Sequence, residues 1–188
     1  MARAKLNPLI ESLQGRIGDV VFKRYGEKIV VSKKPEFTNR KFTKAQKKFQ
    51  ERFRNAATYG KRVLADPVAR QAYEKAAKAS GKPILSVMIA DFLHEPIVEG
   101  IDLNAYTGKA GESIVVHATD DFAVVRVTVA IADASGNEVE CNEAVYTRKD
   151  VWTYTCSVTT SPGLVTISAT AFDKPGHSTT LRREFQVA

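Results

Sequence analysis

The apolar residues of this chain change their spacing once, and this change constrains the fold more than any other feature. Between residues 43 and 94 they recur at intervals of three and four, whereas after residue 96 they alternate along short runs. The first spacing indicates amphipathic helices, and the second indicates strands with one buried face. We predict an α+β chain of two domains joined within Glu95–Gly100: residues 1–95, a β-hairpin with a small helical domain, and residues 96–188, an all-β sandwich.

The N-terminal segment is predicted to form the β-hairpin. Two β-rich runs, Val20–Arg24 and Lys28–Lys33, are separated by the turn residues 25–27. Gly15 and Gly18 bracket the entry to the hairpin, where a positive φ or close packing is expected. Basic side chains are frequent in both runs, so this hairpin also belongs to the charged part of the chain.

Three helices are predicted to follow the hairpin. Thr43 caps a first helix from Lys44 to about Ala65, Asp66-Pro67 opens a second that ends at Gly81, and a third runs over residues 84–94. The predicted inward face of the first helix consists of Phe49, Phe53, Ala56, Ala57, Gly60, Val63 and Leu64. That of the second consists of Val68, Ala72, Ala76 and Ala79, with Tyr73 beside them.

Seven strands are predicted in residues 97–188, separated by turns rich in Gly, Pro, Ser and Asn. They are Ile97–Leu103, Ser113–Ala118, Val124–Ala132, Glu138–Tyr146, Val151–Val158, Leu164–Phe172 and Leu181–Val187. Short strands at this spacing over about 90 residues indicate a β-sandwich. Trp152 alternates with Tyr154 and Cys156, so it is predicted to lie in the core of the sandwich.

Both halves resemble bacterial families. Residues 97–188 resemble the immunoglobulin-like modules of bacterial surface and virion proteins, through Asp120-Asp121-Phe122, residues 125–129 (VRVTV) and residues 169–173 (ATAFD) with Gly176. The N-terminal half resembles an uncharacterised bacterial domain-of-unknown-function family, through residues 15–22 (GRIGDVVF), Thr43-Lys44-Ala45-Gln46 and Arg52-Phe53. The first resemblance implies an immunoglobulin-like architecture, and the second implies an organisation without an assigned activity.

Charge is distributed unevenly along the chain. The net charge is +7, but residues 1–95 carry 21 basic and 9 acidic side chains (+12), and residues 96–188 carry 7 and 12 (−5). This asymmetry indicates an acidic partner for the N-terminal part. The candidate contact residues are Lys23, Arg24, Lys28, Lys33, Lys34, Arg40, Lys41, Lys44, Lys47, Lys48, Arg52 and Arg54.

These basic residues are predicted to form one continuous stripe if the hairpin packs against the first helix. Tyr25, Phe37 and Phe42 are interleaved with them. A stripe of this kind can neutralise several phosphates of a nucleic acid. It can equally contact an acidic protein, or it can be a solvated face, and the sequence leaves these three interpretations open.

No catalytic motif is found in the sequence. The three histidines, His94, His117 and His177, have no serine or cysteine nucleophile in a recognisable pattern beside them. No phosphate-binding glycine loop or zinc-peptidase motif occurs either. We therefore expect a protein that is not an enzyme, with no cofactor and no small-molecule substrate.

Two further groups of side chains have alternative interpretations. Asp120, Asp121 and Asp173 follow strands and are a calcium candidate, although aspartates after strands commonly form Asx-turns. Cys141 and Cys156 are either half-buried thiols on neighbouring strands or a disulfide.

The sequence also predicts a cellular location and a class of function. It has no signal-peptide pattern and no apolar run of membrane-spanning length, so synthesis in the cytoplasm is expected, with later incorporation into a virion or an extracellular assembly as one destination. The predicted function is a non-catalytic structural or assembly protein that docks on an acidic protein or on itself and displays its sandwich. The alternative is a sequence-nonspecific nucleic-acid-binding protein that uses the sandwich as a protein-contact module.

Overall fold

Contacts between residues divide the chain into two units in the computed structural model, residues 1–44 and residues 45–188. The structure describes residues 2–4, 14–25, 28–36 and 41–188. The division differs from the predicted one at residues 95 and 96, because the helices pack against the strands that follow them: the rings of Tyr73 and Phe122 stack with their centroids 4.2 Å apart. The expectation that residues 96–188 fold by themselves stays a prediction.

The first unit contains a small antiparallel sheet. Its strands are β1 (Ala2–Ala4), β2 (Gly15–Ile17), β3 (Val20–Tyr25) and β4 (Lys28–Lys33), in the order β1-β4-β3-β2. The predicted hairpin is confirmed, since β3 and β4 pair as far as Tyr25 and Lys28. Gly15 and Gly18 have φ angles of +121° and +56°, as expected for them. Alternation cannot reveal β1 and β2, because three residues are too few to show a period.

The three predicted helices are confirmed within about one residue at each end. They are α1 (Lys44–Ala65), α2 (Pro67–Ser80) and α3 (Ile84–Leu93). Asp66 caps α2, because its side chain accepts hydrogen bonds from the backbone N–H groups of Val68 (2.9 Å) and Ala69 (3.2 Å). Gly81 ends α2 in the left-handed conformation, with φ +65°.

The buried face of α2 differs from the predicted one. Tyr73 and Ala77, four residues apart, are buried, whereas Val68 is 82% exposed and Ala72 and Ala79 are exposed. The helical core consists of Tyr59, Val63, Tyr73 and Met88. A tyrosine buries far more apolar area than an alanine, so the position of Tyr73 and not the run of alanines determines which face of α2 turns inward.

The strands of residues 97–187 form two four-stranded antiparallel sheets. They are β5 (Ile97–Asp102), β6 (Ser113–Thr119), β7 (Val124–Ala132), β8 (Glu138–Glu143), β9 (Val145–Arg148), β10 (Val151–Thr155), β11 (Gly163–Asp173) and β12 (Ser178–Val187). One sheet has the order β5-β6-β10-β9, and the other has the order β12-β11-β7-β8. Apart from an extra edge strand, β8, this is the strand order of the immunoglobulin-like sandwich. The predicted all-β immunoglobulin-like sandwich is therefore confirmed.

The predicted strand Glu138–Tyr146 is two strands. β8 pairs with β7 in one sheet, whereas β9 pairs with β10 in the other. The chain changes sheets at Ala144, which is buried between them. Alternation in the sequence is the same on both sides of this crossover, and it therefore does not reveal which sheet each half joins.

Alternating side chains of the two sheets form the core of the sandwich. Trp152, Tyr154 and Cys156 are all buried in it, so the prediction for Trp152 is confirmed. Opposite them in the other sheet, every second residue is buried from Val127 to Ile131 in β7 and from Val165 onward in β11, with Ile131 and Ile167 among the fully covered side chains. Each such aliphatic side chain stabilises the fold by about 1.5–3 kcal/mol.

Candidate functional site

The first candidate surface is the N-terminal half of α1. Residues 45–55 are all exposed, and we call them the exposed half of α1. Phe49 is 61% exposed and Phe53 is 47% exposed, so the prediction that these two residues face inward is wrong. The apolar stripe is continuous, but the side chains that cover it, such as Met88, reach only its C-terminal half, from Ala56 to Val63.

Helix length explains this exposure. At a rise of about 1.5 Å per residue, 22-residue α1 is about 33 Å long, whereas 10-residue α3 is about 15 Å long. Gly60 lies in the part of α1 that α3 covers, beside Leu85 and Met88. The stripe therefore has a partner in one half of the helix, and its two phenylalanines lie in the other half.

Basic side chains share this half of α1 with the two phenylalanines but point to other sides of the helix. Lys47, Lys48 and Arg54 are exposed, and Glu51 is the single acidic residue of the exposed half of α1. Lys44, the first residue of the helix, is exposed as well. The exposed half of α1 therefore carries both apolar area and a strong positive charge, on different sides of one helix.

Arg52 has a structural role. Its guanidinium donates a hydrogen bond to the backbone carbonyl of Leu93 at 3.0 Å. Leu93 is the last residue of α3, where carbonyl groups lack partners within the helix and a positive charge is favourable. Arg52 thus links α1 to the end of α3.

The basic residues of the hairpin do not share one face. Neighbours along a strand point to opposite faces, and residues paired across an antiparallel ladder point to the same face. The register places Lys23 and Lys28 on one face of the sheet, and Arg24 and Lys33 on the other. The part of the predicted stripe that lies on the hairpin is therefore divided between two faces.

The remaining predicted contact residues lie between the hairpin and α1. Lys34 and Lys41 are exposed, and Arg40 lies outside the described residues. Lys33 forms an exposed ion pair with Glu36 at 3.7 Å, a kind of contact that contributes little to stability. These residues belong to the first unit, and the exposed half of α1 belongs to the second.

The three aspartates of the calcium candidate have other partners. Asp120 accepts hydrogen bonds from the N–H groups of Phe122 (3.0 Å) and Ala123 (2.9 Å) in an Asx-turn. Asp121 pairs with His94, and Asp173 accepts from the ring of His177 at 2.8 Å. In the part of the chain that the structure describes, no group of three acidic, histidine or cysteine side chains could hold a metal ion. Asp120 and Asp121 follow β6 as predicted, whereas Asp173 is the last residue of β11; Asp120 and Asp173 stabilise turns.

The two cysteines are not on neighbouring strands. Cys141 is exposed on β8, and Cys156 is buried just after β10, in the opposite sheet. Both thiols are free. Burial raises the pKa of Cys156 to about 12, with the charge of Glu140 as the next cause, so its reactive thiolate form is suppressed.

A buried chain of hydroxyl groups ends at Asp91 and was not part of any predicted site. Asp91 on α3 is 1% exposed and accepts a hydrogen bond from the hydroxyl of Tyr73. That hydroxyl lies 2.8 Å from the hydroxyl of Tyr59. Burial raises the pKa of Asp91 to about 6, although the bond from Tyr73 opposes the shift. The sequence signal is one acidic residue within an otherwise uncharged helix, Ile84–Leu93.

Comparisons with known proteins add partial likenesses. No protein-family model matches this sequence, and no curated protein matches it. CopC from Methylosinus trichosporium OB3b is 14% identical over 49% of this chain and 92% of its own, with a TM-score of 0.37. A tetra-tandem repeat from the extending region of a large adhesion protein is 21% identical over 50% of this chain and 24% of its own, with a TM-score of 0.35. The PKD1 domain of Vibrio anguillarum Epp is 18% identical over 50% of this chain and 94% of its own, with a TM-score of 0.30.

These likenesses are too weak to assign a family. The immunoglobulin-like assignment rests on the strand order of the two sheets. The resemblance of the N-terminal half to an uncharacterised bacterial family stays a prediction. Within the described residues, no helix is both long and apolar enough to cross a membrane.

Proposed function

We propose that this chain is a non-catalytic assembly protein whose exposed half of α1 docks on the acidic sandwich of a second copy. The observation that carries the proposal is the exposure of Phe49 and Phe53 on a helix whose other half is packed into the unit that contains the sandwich. The immunoglobulin-like sandwich is then displayed along the assembly, and each copy contributes one docking helix.

The two phenylalanines supply the apolar part of the contact. Phe49 and Phe53 are four residues apart, so they are neighbours on one face of α1. Burying a phenylalanine side chain is worth about 1.5–3 kcal/mol. Single exposed apolar residues are ordinary, but two neighbouring exposed aromatic side chains are typical of a protein contact.

Charge favours the sandwich of a second copy as the partner. Two exposed halves of α1 would repel each other, since each carries Lys47, Lys48 and Arg54 against Glu51. Residues 96–188 carry a net charge of −5 and would attract the same helix. The contact therefore joins two different surfaces of the chain. Contacts of that kind repeat head to tail and produce rings or filaments, which suits a decoration or surface layer.

Sedimentation of the full chain tests the proposal. We expect association that strengthens with protein concentration and weakens as salt screens the charges. Phe49→Ala combined with Phe53→Ala should weaken it at least about tenfold, which corresponds to about 1.4 kcal/mol. Lys47→Gln combined with Lys48→Gln should mainly reduce its dependence on salt.

A matched control uses the exposed lysines of α2. Lys75→Gln combined with Lys78→Gln removes the same charge from a different helix and should leave association unchanged. Arg52 is kept in every variant, because it bonds to Leu93. A wild-type chain that stays monomeric at about 100 µM in low salt would contradict self-assembly, since the contact would then be weaker than a specific one.

Binding to DNA in the same low salt tests the nucleic-acid alternative. Its signature is an affinity that falls by about 0.9 log unit per phosphate contact for each log unit of salt, on unrelated sequences. Lys47→Gln, Lys48→Gln and Arg54→Gln together should flatten that slope. Salt-dependent retention by a monomeric chain would replace the assembly proposal, whereas the absence of retention would remove the alternative.

A further inference from the structure

A cleft of about 510 Å³ lies where α2 and α3 meet the loop after β6. Its apolar wall includes Val87, Ala90 and Phe122, and its charged residues are Lys82, Asp121 and Asp91. Lys82 and Asp121 are exposed, whereas Asp91 is buried. No residue of the exposed half of α1 lines the cleft, so it is separate from the proposed docking surface.

The hydrogen bonds of Asp91 leave one carboxylate oxygen unused. Oδ2 accepts from the hydroxyl of Tyr73, whose only proton is thereby committed. Tyr59 must then donate to Tyr73, so the hydroxyl chain is directed toward Asp91. Oδ1 of Asp91 is buried and has no partner in the described protein. Buried polar atoms almost always have a partner, so a donor other than the described protein, a water molecule or a ligand group, is expected at this oxygen.

The charges around Asp91 favour a positively charged donor. Asp120 and Asp173 add negative potential at this carboxyl group, and Lys174 offsets part of it. Lys174 lies 5.0 Å from the ring centroid of Tyr73 and forms no ion pair with Asp91. Burial and these carboxylates together raise the pKa of Asp91, which indicates that its negative charge is undercompensated. Lys82 is exposed, so solvent screens its opposing charge.

We infer that this cleft binds a primary alkylammonium group, whose N–H donates to Oδ1 of Asp91 while its alkyl chain lies along Phe122 and Val87. A charge-assisted bond satisfies both the unused oxygen and the surplus negative charge. A metal ion is a poor fit, because the described residues form no group of three ligands around it. An anion is repelled by Asp91 and Asp121.

Titration with butylammonium, followed by amide shifts in NMR spectra of the full chain, tests the inference. We expect saturable shifts at residues that line the cleft, including Val87, Ala90 and Phe122. Tetramethylammonium has the same charge but no N–H, and butan-1-ol has the same chain but no charge. Both should bind at least about tenfold more weakly, because each lacks one part of the charge-assisted bond.

Two variants locate the binding group. Asp91→Asn keeps an acceptor for Tyr73 and removes the charge, and it should reduce butylammonium affinity at least about tenfold. Glu95→Gln is the control, since its carboxylate is exposed and does not line the cleft, and it should change affinity by less than about twofold. If Asp91→Asn does not fold, the comparison of butylammonium with tetramethylammonium on the wild-type chain decides the question.

The pH dependence gives an independent measure. A bound cation should lower the midpoint at which the Asp91 carboxyl carbon titrates, because it stabilises the charged form. Affinity should accordingly decrease as the pH falls through about 6. A midpoint that butylammonium leaves unchanged would contradict a contact with Asp91.

The ammonium group can belong to a free amine or to a lysine of another protein. Pentane-1,5-diamine and Nα-acetyl-lysine N-methylamide distinguish these sources, because the second carries the backbone that a protein ligand must accommodate. Tighter binding of either probe supports the inference and assigns the source. Shifts that do not saturate with any ammonium probe, or an equal response to butan-1-ol, would overturn it and leave a water molecule as the donor to Oδ1.

Discussion

At Asp91, burial and hydrogen bonding act in opposite directions on the pKa of one carboxyl group. Burial is the larger effect and raises the pKa, and the bond from Tyr73 lowers it. Asp120 and Asp173 add to the increase, whereas Lys174 opposes it. The outcome, a pKa of about 6, means that folding holds a proton on this residue at a pH where the unfolded chain has lost it.

The stability of the fold should therefore depend on pH through Asp91. Between the ordinary pKa of 3.8 and about 6, the folded state binds more protons at this group, so the free energy of unfolding decreases as the pH rises. Full ionisation of Asp91 should lower the free energy of unfolding by about 3 kcal/mol.

Urea denaturation at pH 4.5 and 7.5 measures this dependence in the wild type and in Asp91→Asn. The difference between the two pH profiles isolates the contribution of Asp91. Carboxylates with lowered pKa values, such as Glu112, make the free energy of unfolding increase with pH and contribute equally to both proteins. Parallel pH profiles of the two proteins would show that Asp91 does not hold its proton.

On the scale of elements, short loops and side chains join the helices to the sandwich. The Asx-turn at Asp120 presents Phe122 to Tyr73, and the two rings stack at an interplanar angle of 21°. Phe92 on α3 meets the ring of His177 edge-on, with centroids 4.9 Å apart. These contacts explain why the helices and the sandwich belong to one unit although their sequence patterns differ.

Phe122→Ala should loosen the helices more than the sandwich. It removes the stacked partner of Tyr73 and leaves a cavity at the junction, at an expected cost of about 2–4 kcal/mol. Hydrogen exchange should accelerate in α2 and α3 while β7 and β11 stay protected, because local opening no longer breaks this contact. The control is Val125→Ala, because Val125 is exposed near the start of β7. It should change neither stability nor hydrogen exchange appreciably. Equal acceleration in all elements would mean that the unit opens as a whole.

At the scale of the whole molecule, charge and contacts divide the chain at different places. The charge changes sign near residue 95, whereas the contacts separate residues 1–44 from residues 45–188. The second unit therefore combines the exposed basic half of α1 with an acidic sandwich. Attraction between opposite charges on different copies is the physical basis of the assembly that we propose.

Fragments separate the two boundaries experimentally. Residues 45–188 should keep the circular dichroism and dispersed NMR spectrum of the second unit. Residues 96–188 should also fold, since the sandwich has its own core, but with lower stability because Phe122 loses its cover. An unfolded 96–188 fragment would show that the helices and the sandwich are one cooperative domain and that the predicted boundary is wrong.

Local chemistry made much of the fold predictable. The caps at Asp66 and Gly81, the hairpin strands and the alternation of Trp152 with Tyr154 depend on interactions within a few residues, and each lies where the sequence indicates. The basic residues around the exposed half of α1 were also predictable, because charge is read directly. Even the division of the hairpin charges follows from alternation, since the adjacent Lys23 and Arg24 must point to opposite faces.

Tertiary structure decided which apolar and charged groups are covered. The sequence determined that α1 carries a continuous apolar stripe, but only the short length of α3 leaves Phe49 and Phe53 exposed. It placed an acidic residue in α3, but only the packing of Tyr73 and the sandwich makes Asp91 a buried carboxylate with an unused oxygen. Secondary structure depends on near neighbours in sequence, whereas burial and pKa depend on neighbours that folding brings from distant parts of the chain.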